Sequence, residues 1–276
     1  MTLTRLYGGV YFSYRQAIRL DCLLLAIRSW PPPLVDTGLA AAMSAASEVV
    51  TSVGSHFAQP LRPRDRDGQP KLTALRRAAS RRDIEVYDLF EERLCRFMSR
   101  PAHGHGATAL RADYRDFLSS FDGDVSAIYA DPPYTRDHYS RFYHVLETMA
   151  LGDVPVVSRV QIGGESLISR GLYRSSRHQS PFCIKSQAPS AFANLYSAVR
   201  RFGVPFVLSY SPYTSGTAAR PRPRLLTVPE VADMARSVFS RVDVRPAGRL
   251  SHSRFNAAHL NGAVLQEAEV FIVCEP

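Results

Sequence analysis

The chain has 276 residues, 45% of them hydrophobic, and a net charge of +9. That apolar content is enough to bury the core of one large α/β domain, or of a core with an insertion, and the positive charge points to an anionic partner. The four cysteines (Cys22, Cys95, Cys183 and Cys274) are scattered with no CxxC pair, which argues against a zinc site and fits free thiols in the cytoplasm. No signal-peptide pattern and no membrane-spanning apolar run is visible, so a soluble cytoplasmic protein is expected. The positive charge is nearly all arginine, since only Lys71 and Lys185 are lysines.

Apolar residues recur at helical spacing from Tyr14 to Trp30, and Pro31-Pro32-Pro33 predicts the end of that helix. A second helix is expected from about Thr37 to Val53, closed near Gly54, and a third from about Ile84 to Arg100. Between them, Pro60 to Gly68 reads as a polar loop carrying Arg62, Arg64 and Arg66. Residues 1–105 thus form a mainly helical region. After His103-Gly104-His105-Gly106 the pattern changes to alternating strands and helices. Ala107–Leu110 is expected as a short strand and Tyr114–Ser119 as a short helix. A buried strand follows at Val125–Ala130 and a helix at His138–Ala150. Later come a helix at Ser190–Phe202, a strand at Pro205–Tyr210, a helix at Pro229–Phe239, and strands at Arg241–Val244 and Val270–Cys274. Thr214–Arg224 reads as a basic, mobile loop. This alternation predicts an α/β catalytic core over residues 106–276 built on an open, doubly wound sheet. The two glycine-flanked histidines belong to a loop, and no metal site is expected.

The strand ending at Ala130 runs directly into Asp131-Pro132-Pro133-Tyr134. Proline fixes its own backbone and pushes the residue before it to extended geometry. The run is therefore stiff, with the Asp131 carboxylate and the Pro132 carbonyl held where one amine can meet both. Tyr134 offers a flat face for stacking a base. Downstream, Tyr139, Phe142, Tyr143 and Leu146 recur at helical spacing, so Phe142 and Leu146 are expected in the core. Arg141 and His144 read equally well as packing or as site residues, and Asp113 has an alternative as a simple turn acid.

The run Asp131-Pro132-Pro133-Tyr134, followed by Tyr139-Ser140-Arg141-Phe142-Tyr143-His144-Val145-Leu146-Glu147-Thr148, resembles the D12-class adenine-specific DNA methyltransferases. Other pieces are similar to the same family in the same order: Tyr7 to Ser13, His56 to Pro60, Ala112-Asp113-Tyr114, Leu208 to Ser211, Ser251 to Asn256, and Glu269 to Val273. The resemblance covers most of the chain. It implies a Rossmann-like methyltransferase sheet, S-adenosylmethionine as cofactor, and double-stranded DNA as partner, with adenine flipped out of the duplex because N6 cannot be reached inside the stack. Asp131 and Pro132 would accept the N6 hydrogens, Pro133 would stiffen the turn, and Tyr134 would stack on the base. Asp113, Tyr114 and Asp131 would face the cofactor. Arg62, Arg64, Arg141, Arg174 and Arg177 are the candidates for DNA contact.

One element of the family pattern is missing. The Phe-x-Gly-x-Gly turn after a first strand, which brings backbone close to the cofactor, has no counterpart; the nearest sequence, Tyr7-Gly8-Gly9, has no preceding strand. The sheet is therefore expected to be incomplete at its N-terminal side. A mis-assigned start, a second chain supplying the cofactor-binding part, and a decaying gene all fit. The expected activity is methylation of adenine N6, in the setting of a cognate restriction endonuclease or of a phage or mobile element. N4-cytosine or RNA-adenine methylation, a non-catalytic DNA-binding remnant and one half of a split enzyme are the alternatives.

Overall fold

The structure, a computed structural model, describes residues 1–99, 106–212, 215–217, 220–222, 225–247 and 269–276. In chain order the elements are α1 (Thr2–Tyr7), α2 (Tyr14–Ile27), α3 (Pro32–Val49), α4 (Leu72–Asp83), α5 (Val86–Met98), α6 (Tyr114–Ser120), β1 (Ile128–Ala130), α7 (Tyr139–Leu151), β2 (Arg159–Ile162) and β3 (Glu165–Ile168). They continue with α8 (Ala188–Arg200), β4 (Phe206–Tyr210), β5 (Ser215–Thr217), β6 (Arg220–Arg222), α9 (Val228–Arg236), β7 (Arg241–Pro246) and β8 (Val270–Glu275). The loop histidines His103 and His105 and the family-like segment Ser251–Asn256 lie outside the described residues, as does part of the Thr214–Arg224 loop. No helix among the described residues is long and apolar enough to cross a membrane.

The chain divides into two compact units. The first comprises Met1–His105 and Tyr139–His178, the second Gly106–His138 and Gln179–Pro276. The segment beginning with α7, expected in the α/β core, therefore packs with the N-terminal helices instead.

The first unit is a helical body. Ser13 and Gln16 exchange hydrogen bonds at the start of α2, satisfying two backbone N–H groups that have no partner inside the helix. The Asp21 carboxylate, 5% exposed, accepts from the backbone N–H groups of Leu3 and Thr4, which holds α1 on α2. Helix α3 buries an alanine face, Ala41, Ala42, Ala45 and Ala46, all fully enclosed. The glycine pair Gly8-Gly9 closes the turn between α1 and α2: Gly9 has φ +76, and a Cβ at Gly8 would lie 2.6 Å from the Thr4 carbonyl. These glycines follow a helix rather than a strand, so they do not form a strand-to-helix glycine turn. A two-stranded antiparallel hairpin, β2–β3, turns through Gly163-Gly164, both at positive φ.

The second unit is α/β. Its sheet has the order β1-β4-β8-β7, with β1 parallel to β4 and β8 antiparallel to both β4 and β7. Phe206, Leu208 and Tyr210 of β4, and Val270, Ile272 and Cys274 of β8, point to one face and are buried there with Phe192, Leu195, Tyr196 and Val199 of α8 and Val231, Ala232 and Ala235 of α9. Helix α9 begins with a capping box between Thr227 and Glu230. Two sequence expectations change here. Ala107–Leu110 is irregular and exposed rather than a strand. The strand expected from Val125 is only Ile128–Ala130, with Tyr129 62% exposed, and it forms the edge of the sheet among the described residues.

Candidate active site

Asp131 follows the last residue of β1. Because β1 and β4 are parallel, with Ala130 paired to Leu208, the carboxyl end of β4 lies at the same end of the sheet. Because β8 is antiparallel to β4, with Tyr210 paired to Val270, the amino end of β8 arrives there too, preceded by Glu269. Topology alone thus brings Asp131, Ser209–Ser211 and Glu269 together at the strand ends, where ligands collect in open α/β sheets.

The polarity of this cluster is one-sided. Asp131 is exposed, while Pro132 behind it is buried. Ser209, fully buried, donates from its hydroxyl to Glu269 Oε1 at 2.6 Å. Partial burial pushes the Asp131 carboxyl above the usual carboxylate range, and the neighbouring Glu269 carboxylate pushes the same way. Two carboxylates at the sheet end repel anions and suit a ligand that brings N–H donors. Tyr134 is half-buried with its ring 5.3 Å from that of Tyr210, whose hydroxyl is fixed on the Leu226 carbonyl at 2.7 Å. The aromatic plane expected for stacking therefore rests on a second, anchored ring. Glu269 was not among the residues expected at the site: a lone acid before a strand carries no signal until the register of β8 on β4 is known.

The other expected residues fall elsewhere. Asp113 is the N-cap of α6; its carboxylate accepts from the Arg115 backbone N–H at 2.9 Å and pairs with the Arg115 guanidinium at 3.0 Å. Tyr114 packs against Phe182 and is part of the second unit's core. No strand ends at Asp113, which caps α6 instead, and no glycine turn stands beyond β1 among the described residues.

The expected DNA contacts belong to the first unit. Arg62 and Arg64 are exposed on the Pro-rich loop. Arg141 and Arg177 lie over the ring of Tyr173, at 5.8 and 5.7 Å from its centroid. Arg174 is not at the surface: only 7% exposed, it binds Asp153 through both guanidinium nitrogens and donates to Thr148 Oγ1 at 3.0 Å. It holds the fold and has little surface to offer a phosphate.

His144 is also placed. It is fully buried, ringed by Tyr7, Tyr11, Phe57 and Tyr173 at centroid distances of 5.2–6.5 Å. Burial pushes its pKa down to about 4. Tyr7 and Thr148 meet at 3.2 Å through their hydroxyl groups. The segments Tyr7–Phe12, His56-Phe57 and His144–Thr148, distant in sequence, thus form one packed centre.

Comparison with known proteins found no family model, no curated protein and no solved structure that matches this chain.

Proposed function

We propose that this chain is the amine-binding and target-recognition part of an S-adenosylmethionine-dependent DNA methyltransferase acting on N6 of a flipped-out adenine. The observation that carries this reading is the acceptor cluster at the strand ends. Asp131 and Glu269 are placed there beside Tyr134, itself backed by Tyr210. An exocyclic amine offers the two N–H donors such a cluster lacks, and a purine offers the flat face a tyrosine stacks on. Asp131 would accept from the amine, draw its lone pair out of conjugation and stabilise the positive charge that develops on nitrogen. Tyr134 would hold the base in line. The exposed arginines Arg62, Arg64 and Arg141, with the half-buried Arg177, would meet the duplex backbone.

The cofactor would be held mainly outside the described residues. In an open α/β sheet the ligand crevice lies between strands on the two sides of a switch in order, and β1 has only β4 as a neighbour among the described residues. A second chain carrying the glycine turn and adding next to β1 would complete the crevice. A cytoplasmic location and a cognate restriction endonuclease belong to this reading.

Calorimetric titration of S-adenosylmethionine, followed by incubation with DNA and identification of the modified nucleoside, tests it. N6-methyladenine made by the chain alone or with a partner, and lost in Asp131→Asn, supports the reading. N4-methylcytosine or methylated RNA adenine shifts the substrate and keeps the chemistry. The second reading, a DNA-binding remnant, is favoured by the engagement of Asp113 with Arg115; DNA binding with no methyl transfer in cells carrying the gene would establish it.

A further inference from the structure

On the loop that follows Asp131, in the same unit, lies an open cleft of about 690 Å³ lined by Arg136, His138, Cys183, Ile184, Lys185 and Ser186. Its polarity is the reverse of that at the acidic strand ends. Arg136 and Lys185 are exposed, and neither makes an ion pair among the described residues. Lys185 is one of the chain's two lysines. The cleft floor is neutral at ordinary pH: Cys183 is 3% exposed, and burial followed by the nearby Asp137 pushes its thiol up to about 11. Carboxylates whose charge couples to this cleft are that of Asp137, on the cleft's own loop, and that of Glu230, which feels the Lys185 charge.

The loop from Asp131 to His138 therefore carries two sites of opposite sign. Asp131 at one end is a carboxylate beside a second one; Arg136 at the other is an exposed cation on the cleft wall. Arg136 lies five positions after Asp131, a reach of at most about 18 Å, and two positions, at most about 7 Å, after Tyr134. A ligand stacked on Tyr134 and reaching the cleft would meet acceptors at one end and cations at the other within those limits, a span that a nucleotide can bridge. We propose that the cleft of Arg136, His138, Lys185 and Ser186 is a phosphodiester site that grips the DNA strand next to the flipped nucleotide. The identity of that strand rests on the function proposed above; the anion site itself rests on the cleft.

The two lysines make a direct test possible. Reductive ¹³C-methylation keeps the lysine charge and gives separate NMR signals for Lys71 and Lys185, assigned with Lys185→Gln. The labelled full chain is titrated with a short single-stranded oligodeoxynucleotide and, separately, with inorganic phosphate. A saturable shift of the Lys185 signal with the oligonucleotide is expected at concentrations where inorganic phosphate does nothing. In Arg136→Gln that shift should need more oligonucleotide, while the response of Lys71 is unchanged. In parallel, each of Lys185→Gln and Arg136→Gln should lower the salt dependence of oligonucleotide affinity by about 0.7 in slope, the value for one lost phosphate contact on a single strand. Both side chains are exposed, so folding is spared, and circular dichroism checks this.

An unmoved Lys185 signal, or unchanged salt slopes, overturns the site even if the chain methylates DNA. A shift reproduced equally by inorganic phosphate means an adventitious ion only, and also overturns it. If the Lys185 response appears while no partner or condition yields methyl transfer, the anion site stands and the methyltransferase reading falls.

Discussion

The strand-end cluster around Asp131 and the centre around His144 sit close together in sequence and differ in almost every physical respect. Asp131 is exposed, has a like charge nearby, and is raised above its ordinary pKa. His144 is enclosed by four aromatic rings and kept neutral. They belong to different units, divided between His138 and Tyr139. One continuous sequence motif thus serves two ends: Asp131–Tyr134 is an open, acceptor-rich mouth, and His144–Thr148 is architecture. The contrast separates polarity open to a ligand at a strand end from polarity enclosed within a fold.

The contrast breaks most visibly if Asp131 is dispensable. In any preparation that methylates DNA, Asp131→Asn is expected to lower the rate about 100-fold or more, the usual cost of deleting one preorganised group aimed at developing charge. Its melting temperature should not fall, because the side chain is exposed. Full activity in a filter assay of radiolabelled methyl incorporation would remove Asp131 from the chemistry.

His144 should show the opposite behaviour. The folded chain keeps it neutral down to about pH 4, while the unfolded chain binds a proton below about 6.5. Stability contributed by the neutral form is present above pH 6.5 and is lost as pH falls toward 4, by about 3 kcal/mol at most. Denaturant midpoints measured across that window should fall, and His144→Gln should flatten the slope there while lowering stability overall.

Arg174 sharpens the comparison among the arginines. Arg174→Ala is expected to destabilise the first unit by about 2 kcal/mol, through loss of charged hydrogen bonds to Asp153 and Thr148. The salt slope of DNA affinity should not change. Arg177→Ala should do the reverse. Equal effects of the two on DNA binding would erase the distinction. The smallest effect belongs to Glu269→Gln. Removing the like charge should move the Asp131 titration downward, so that an acid limb of the pH–rate profile shifts to lower pH, but only in part, since burial is the larger cause.

Much of the second unit was legible because burial writes a pattern. β4 and β8 present alternate apolar residues to one covered face, and their spans follow from that period. β1 was overextended because its edge position leaves Tyr129 exposed, which a continuous apolar run does not reveal. Helix α4 went unread because Ala78 is its one buried residue, so no stripe marks it. Every residue of β2 and β3 is exposed, so no buried stripe marks either strand. In the site, the Asp-Pro-Pro-Tyr stiffness was readable from local chemistry. The contribution of Glu269 was not, because it depends on a strand pairing that brings the end of the chain beside its middle.

That His144 centre also sets a timetable for synthesis. The Tyr11 hydroxyl donates to the carbonyl of Gly171, 160 residues later, and Tyr7 meets Thr148 across 141. At about 5–20 residues per second on the ribosome, the N-terminal aromatic residues wait on the order of 10–30 s for the groups that enclose them. Through that interval Tyr7, Tyr11 and Phe57 are greasy surface on a nascent chain, and the first unit cannot close until His178 has emerged.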